Sequence, residues 1–239
     1  MYLLRICKPF LKKYFITEHV WMICRYMLNK RSYALNNLDN KMIRILHKKR
    51  KGFFVEIGAN DGITQSNTYK LERRYGWRGV LIEPTFNNFI QCVENRNKEN
   101  VFAFCACVSF QYDKELLELT YSNLMTTGKT SSIQAQKHLQ RGERFTHPAT
   151  HVTLHVPAKT MNQVLIDANA PKHIDLLSLD VEGAELDVLQ GIDFSLYTFS
   201  YILIECWDLE RIRSYLKQYG YAVDTQLGHR DWLFVQATT

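Results

Sequence analysis

The sequence predicts an α/β protein built on a doubly wound sheet, and three observations carry that expectation. Phe53-Phe54-Val55-Glu56-Ile57 is a short apolar, partly β-branched run that breaks into Gly58-x-Asn60-x-Gly62 and leaves as a helix from Thr64 onward, giving strand, glycine turn and helix start. Gly79-Val80-Leu81-Ile82-Glu83-Pro84 is a second apolar run, closed by a carboxylate 21 residues after Gly62 and stopped by a proline. The rest alternates strand-like runs with amphipathic segments, the pattern of a sheet covered on both faces. At 239 residues the chain is long enough for one such domain with a full core.

In chain order, a basic helical arm (1–33) precedes a domain (34–239). Residues 1–51 hold 13 Lys and Arg against Glu18 and Asp39, a balance of +11, while the remainder holds 17 against 22 acids, a balance of −5. That segregation suggests an anionic partner for the arm. Leu3, Cys7, Phe10, Leu11 and Tyr14 recur there at helical spacing, with basic residues between them and Pro9 starting or kinking the helix. Three readings stay open: an amphipathic helix packing on the domain or a second subunit, a peripheral contact of residues 1–30 with a membrane surface, and, least favoured, a nucleic-acid contact. The uncharged runs are too short to span a bilayer and lack a signal peptide's apolar core, so the expected location is cytoplasmic, peripheral at a membrane surface if the arm binds one. Six cysteines without a C-x-x-C pair predict free thiols and no structural zinc, with Cys105 and Cys107 packing as small hydrophobes.

Residues 34–50 predict a helix with Leu35, Leu38, Met42, Ile45 and Leu46 on one face and a solvated basic end at 47–51. Ser66-Asn67-Thr68 opens a helix to about Tyr75, with Gly76 as its C-cap. Residues 86–96 form a helix and 101–109 a third strand. Residues 110–150 are polar and read as a lid or substrate-selecting insertion, with a short helix over 132–140. His147, His151 and His155 have a spacing that invites a metal, but Pro148, Val152 and Thr153 argue against a helix, and a strand sets His151 and His155 too far apart for one ion; one of the three could serve as a general base. Thr160 caps a helix to about Ala168. Residues 174–180 form a strand, and a helix from near Gly183 runs out near Leu189. Residues 200–206 form a strand ending at Glu205, 208–219 a helix stopped by Gly220, and 221–225 with 232–236 a terminal hairpin.

The turn Glu56-x-Gly58-x-Asn60-x-Gly62 departs from the dinucleotide fingerprint and fits the acidic-x-Gly-x-(Gly/Asn)-x-Gly turn by which methyltransferases hold S-adenosylmethionine. Together with Thr64-Gln65-Ser66-Asn67-Thr68, Gly76 through Pro84, and Asp180-Val181-Glu182-Gly183-Ala184-Glu185, it resembles the FkbM-type family of S-adenosylmethionine-dependent methyltransferases. The resemblance covers roughly residues 35–235. It implies a class I methyltransferase (Rossmann-like) fold, a seven-stranded doubly wound sheet with a terminal β-hairpin. It also implies O-methylation, most often of a sugar, glycan or other small-molecule hydroxyl. The cofactor-side candidates are Glu56 (for the cofactor's amino-acid end), Gly58, Ala59, Asn60, Gly62, Ser66, Asn67, Glu83 and Pro84 (ribose), Ala106 (adenine) and Asp180. Helix capping is the alternative reading of Ser66 and Asn67.

Transfer from a sulfonium is an in-line displacement in which most of the work is positioning, but a hydroxyl acceptor needs a base or a metal to take its proton. Asp180, Glu182 and Glu205 are the carboxylates the sheet delivers to its ligand-binding edge. Asp180 is the candidate for orienting acceptor or cofactor, and Glu182 for general base. The alternative is a Mg²⁺ site made by all three. Glu182 also reads as a charge complementing a helix N-terminus. Two other functions stay open: an RNA ribose 2′-O-methyltransferase, suggested by the basic arm, and a non-catalytic cofactor-binding or membrane-associated scaffold.

Overall fold

A computed structural model describes residues 32–121, 127–128 and 152–237. The chain passes through α1 (Leu38–Ile45), β1 (Phe53–Ile57), α2 (Tyr69–Tyr75), β2 (Arg78–Ile82), α3 (Phe86–Asn95), β3 (Val101–Ala103) and β4 (Ala106–Val108). It continues through β5 (Leu116–Tyr121), β6 (Thr127–Gly128), β7 (Val152–Thr160), α4 (Met161–Asp167), β8 (His173–Leu179) and α5 (Glu185–Leu189). It ends with β9 (Thr198–Glu205), α6 (Leu209–Lys217), β10 (Tyr221–Gln226) and β11 (Asp231–Gln236).

Seven strands form one sheet in the order β10-β11-β9-β8-β1-β2-β3. All pairs are parallel except those of β11, which lies antiparallel between β10 and β9. The expected doubly wound sheet with its terminal hairpin is therefore present. The period of two along each strand sorts side chains to two faces. Val55 and Ile57 of β1 join the core under α4, α5 and α6, whereas Phe54 joins the core under α1, α2 and α3. Phe54, Phe199 and Phe234 have no exposed surface, and such a side chain contributes about 1.5–3 kcal/mol relative to an exposed one. Thr160 Oγ1 accepts the Gln163 N–H at 3.1 Å, capping α4 as expected. Among the described residues no helix is long and apolar enough to cross a membrane.

The structure corrects several boundaries. The run 101–109 is not one strand. It divides at Phe104-Cys105: β3 ends the large sheet beside β2, while β4 pairs with β7 in a second sheet ordered β4-β7-β5-β6. Phe104 packs against Phe86 and Phe89 of α3, which turns the chain between the sheets. β5 lies inside the stretch read as a polar insertion; Leu117 and Leu119 face a small core with Val108 and Val156. The helix after the glycine turn begins at Tyr69, not at Thr64 or Ser66, because Gln65 sits at φ 63° and Ser66 is tied to Glu56. The helix expected over 34–50 shrinks to α1, bounded by left-handed Asn36, Asn37, His47 and Lys48. The basic run after α1 is exposed throughout, as expected, and Lys49 within it pairs with Asp175 at 2.5 Å while its carbonyl accepts the Trp77 indole N–H. The helix expected from Gly183 starts at Glu185, since Glu182 and Gly183 are both left-handed. Residues 1–31, the helix expected over 132–140, His147 and His151 lie outside the described residues. His155 sits on β7 opposite Glu118 of β5.

Candidate active site

The carboxyl ends of β1, β2 and β8 meet at one edge of the large sheet, where an α/β sheet binds its ligand. The turn after β1 is clamped there between its two neighbours. The N–H groups of Gly58 and Ala59 both donate to the Ile82 carbonyl, at 3.0 and 3.1 Å, and Asp180 N–H donates to the Ile57 carbonyl at 3.2 Å. Gly58 has φ 80°, and a Cβ on it would lie 2.0 Å from the Asp180 carbonyl oxygen. Glycine is required on both counts. Asn60, also left-handed at φ 50°, donates its N–H to Glu83 at 2.9 Å, and the other Glu83 oxygen accepts the Thr85 N–H at 2.8 Å. Burial pushes the Glu83 carboxyl up, against the pull of the Thr85 N–H and hydroxyl and the Asn60 N–H.

A cavity of about 150 Å³ opens at this edge. Gly58, Asn60, Thr64 and Gln65 form one side of it, and Glu83, Pro84, Thr85 and Asn88 another. Cys105, Ala106, Cys107, Leu117 and Leu119 supply an apolar wall from the second sheet and its approach. Asp180, Val181, Glu182 and Ala184 close the remaining end. Beyond Asp180 lies a smaller chamber of about 60 Å³, which Asn67, Asp180, Glu205 and Asp231 line together with Leu35 and Leu38.

Of the residues expected at the site, Gly58, Asn60, Glu83, Pro84, Ala106, Asp180 and Glu182 line the cavity, while Asn67 and Glu205 reach only the second chamber. Glu56, Ala59, Gly62 and Ser66 stand behind the cavity wall. Glu56 is a correction to the expected direct hold on the cofactor. Its carboxylate is buried and occupied by the Ser66 hydroxyl at 2.9 Å, the Asn67 N–H at 2.8 Å, the Thr68 hydroxyl at 2.6 Å and Arg96 Nη1 at 3.2 Å. Its alternation partner Phe54 already faces the α1–α3 side, so Glu56 does too. Asn67 donates to the Ser178 hydroxyl at 3.0 Å, and its Oδ1 is buried without a hydrogen-bond partner among the described residues.

At the acidic end, one oxygen each from Asp180, Glu182 and Glu205 lies within 4.8 Å of the other two. Such a trio could hold a hard cation through oxygen ligands, or share protons. Burial and then the neighbouring Glu205 push Asp180 well above the usual carboxylate range. Burial and Glu205 raise Glu182 to about 7. Glu185 is buried at the start of α5, where it accepts the Gly183 N–H at 2.7 Å, and burial raises it to about 7. The balancing cation is Arg230, 3.8 Å from Glu205 and stacked 3.4 Å over the Trp207 ring.

These raised carboxyls fix the sign of a stability profile. The folded state keeps protons that the unfolded chain releases near pH 4.5. Their contribution is therefore whole below about pH 4.5 and is lost as pH rises through about 7. Melting temperature should fall between pH 5 and 8, and Glu182→Gln should flatten that fall. A profile that rises over the same interval would overturn the protonation assigned here.

A parallel sheet closed by an antiparallel hairpin, a glycine turn clamped between strands and a carboxylate on the second strand's tip define a class I methyltransferase. Residues 56–223 match the family model described as the methyltransferase FkbM domain, and the chain belongs to that family of S-adenosylmethionine-dependent methyltransferases. It is similar to Methyltransferase 1 of Beauveria bassiana (strain ARSEF 2860), with 29% identity over 150 residues, which are 59% of this chain and 58% of that protein. Among solved structures it is similar to precorrin-6y C5,15-methyltransferase from Geobacter metallireducens GS-15, at 12% identity and TM-score 0.43 over 84% of this chain and 87% of that one. It is also similar to a methyltransferase from Pyrococcus furiosus, at 13% identity and TM-score 0.36 over 90% and 83%.

The cavity suits S-adenosylmethionine. Glu83 accepts one N–H on each oxygen and the Thr85 hydroxyl, and a carboxylate's remaining lone-pair capacity suits a ribose hydroxyl. The apolar wall suits an adenine ring, and the acidic end suits a sulfonium cation. Among the wall residues, Leu117 and Leu119 were missed in the sequence, although their alternation with Glu118 and Thr120 marked them as one face of a strand.

Proposed function

We propose that the chain transfers a methyl group to a hydroxyl oxygen of a sugar, a glycan or another small acceptor. The observation that carries this reading is the meeting of Asp180, Glu182 and Glu205, of which Asp180 and Glu182 line the end of the cofactor cavity and Glu205 the second chamber. S-adenosylmethionine supplies an activated methyl, so what the chain itself must do is hold the acceptor oxygen in line and take its proton. Glu182 suits the proton transfer, since its carboxyl titrates near the operating pH. Asp180 lines both chambers and suits the orienting role. A Mg²⁺ on the same three carboxylates is the alternative way to lower the hydroxyl's proton affinity.

The RNA reading draws on the basic residues of 1–51. Against it, the carboxyl groups of Asp180, Glu182, Glu205 and Asp231 line the acceptor end, where an RNA backbone would need cations. The same basic sequence supports work at an anionic membrane surface, with the acceptor lipid-linked. The test is transfer of labelled methyl from S-adenosylmethionine to soluble glycans, small alcohols, lipid-linked sugars in anionic vesicles, and RNA. Label in a stable methyl ether on one of the first three is expected. Label on RNA, with binding that falls steeply as salt rises, would replace this reading. Cofactor binding without turnover on any of them would favour the scaffold.

A further inference from the structure

We propose that Arg96, which does not line the cavity, is the positioning residue that sets the Gly62–Thr68 segment and through it the shape of the cofactor site. The inference rests on the cavity's assignment to S-adenosylmethionine. Arg96 is the C-cap residue of α3, and its side chain has no exposed surface. Its guanidinium uses all three nitrogens. Nε donates to Glu72 at 2.7 Å. Nη1 donates to Glu56 at 3.2 Å, to the Gly62 carbonyl at 3.1 Å and to the Ser66 hydroxyl at 3.3 Å. Nη2 donates to the Thr68 hydroxyl at 2.9 Å. Phe54 and Tyr69 present their rings to the guanidinium at 5.3 and 5.6 Å.

The cofactor motif's own residues are spent on this contact. Gly62 has φ 81°, and a Cβ there would meet Arg96 Cγ at 2.8 Å and Cys92 Sγ at 3.0 Å. Glycine at this point of the turn therefore lets the chain close on Arg96. Glu56 faces the same cation and gathers Ser66, Asn67 and Thr68 around it. Between these anchors the chain presents Thr64 and Gln65 to the cavity and Asn67 to the second chamber. One buried guanidinium thus fixes residues of both chambers from the far side of the turn. Without it Glu56 and Glu72 would be left buried without their shared cation. Lysine keeps the charge but cannot reproduce a fork that reaches two carboxylates, a carbonyl and two hydroxyls.

The experiment is calorimetric binding of S-adenosylhomocysteine, with amide hydrogen exchange over residues 60–68, on the full chain. Arg96→Lys should weaken binding by about tenfold or more, ~1.4 kcal/mol, and raise exchange in that segment selectively. Thr68→Val, which removes one tie to Arg96 and one to Glu56, should shift both readouts the same way by less. Tyr221→Phe removes the bond from the Phe199 N–H at the other end of the sheet; it should lower melting temperature without changing affinity. Wild-type affinity in Arg96→Lys overturns the proposal, as does equal weakening in Tyr221→Phe, which would mean that general destabilisation suffices. If Arg96→Lys fails to fold, unchanged affinity and exchange in Thr68→Val overturn it. Failure of the wild type to bind would instead overturn the cofactor assignment, and this inference with it.

Discussion

Glu182→Gln should lose methyl transfer by about 10²–10⁴ in kcat while retaining its affinity for S-adenosylhomocysteine. The residue stands at the junction of β8 and α5 with φ 54°, a conformation that costs a non-glycine residue roughly 1–3 kcal/mol. Glutamine tolerates that backbone about as well as glutamate, so the substitution removes the charge and leaves the turn. The side chain lines the acidic end of the cavity, where burial and Glu205 hold its carboxyl at about 7. In the proposed role of base, a carboxyl so placed is partly ionised at neutral pH and strong enough to draw a proton from an attacking hydroxyl. The wild-type rate should rise with pH up to about 7 and then level, and the glutamine variant should lack that limb. Chelation separates the two versions of the chemistry. If the trio holds Mg²⁺, EDTA should abolish the wild-type rate, and restoring Mg²⁺ should move the limb to lower pH, because a cation favours the ionised carboxylates. Full activity in Glu182→Gln would remove the residue from the mechanism in either version.

The parts of this site that were readable in the sequence are those in which a motif and its strand end coincide. Gly58, Asn60, Glu83, Pro84, Asp180 and Glu182 each sit one to three residues beyond a run of apolar β-formers, and a strand's end fixes where the next residues go. Arg96 was not readable in this way. It lies 40 residues from Glu56, and as sequence it is a basic residue at a helix C-terminus, an ordinary pairing with the helix dipole. One signal did exist: Phe54 and Glu56 share a face of β1, so an apolar assignment for Phe54 commits Glu56 to the same interior and demands a buried cation there. Glu205 and Asn67 were assigned to the site by their positions, but only packing could reveal that Asp180 divides them from the larger cavity.

The fold's misread boundaries have a common cause. Residues 101–109 are mostly apolar, so periodicity cannot tell where the chain leaves one sheet for another; the crossing is set by Phe104 meeting Phe86 and Phe89, a tertiary contact. The shortening of the helix over 34–50 was more legible. Asn36-Asn37 is a pair of the residue type that most readily takes the left-handed conformation, and both take it.

Glu83→Ala should weaken S-adenosylmethionine and S-adenosylhomocysteine binding by about 10², the loss expected for charged hydrogen bonds of about 1.5–3 kcal/mol. Two effects add. The carboxylate is the acceptor available to a ribose diol at the tip of β2, and it is also the strut that holds the Asn60 and Thr85 N–H groups. Alanine removes both and leaves two backbone donors to find water. Glu83→Gln separates them: the amide oxygen can still accept one N–H, but the NH₂ group turns a donor toward the other, so the turn loses half its strut and the diol loses its anion. Its affinity should fall between the wild type and alanine. The raised proton affinity of Glu83 adds a third readout. Cofactor binding should ionise the carboxyl fully, because a diol donates to the anion. Proton release on binding, measured by titration in buffers of different ionisation enthalpy, should then appear on the acid side of neutrality and vanish in Glu83→Gln. Unchanged affinity in Glu83→Ala would place the ribose elsewhere and turn the cofactor round in the cavity, with Glu182 no longer beside the sulfonium.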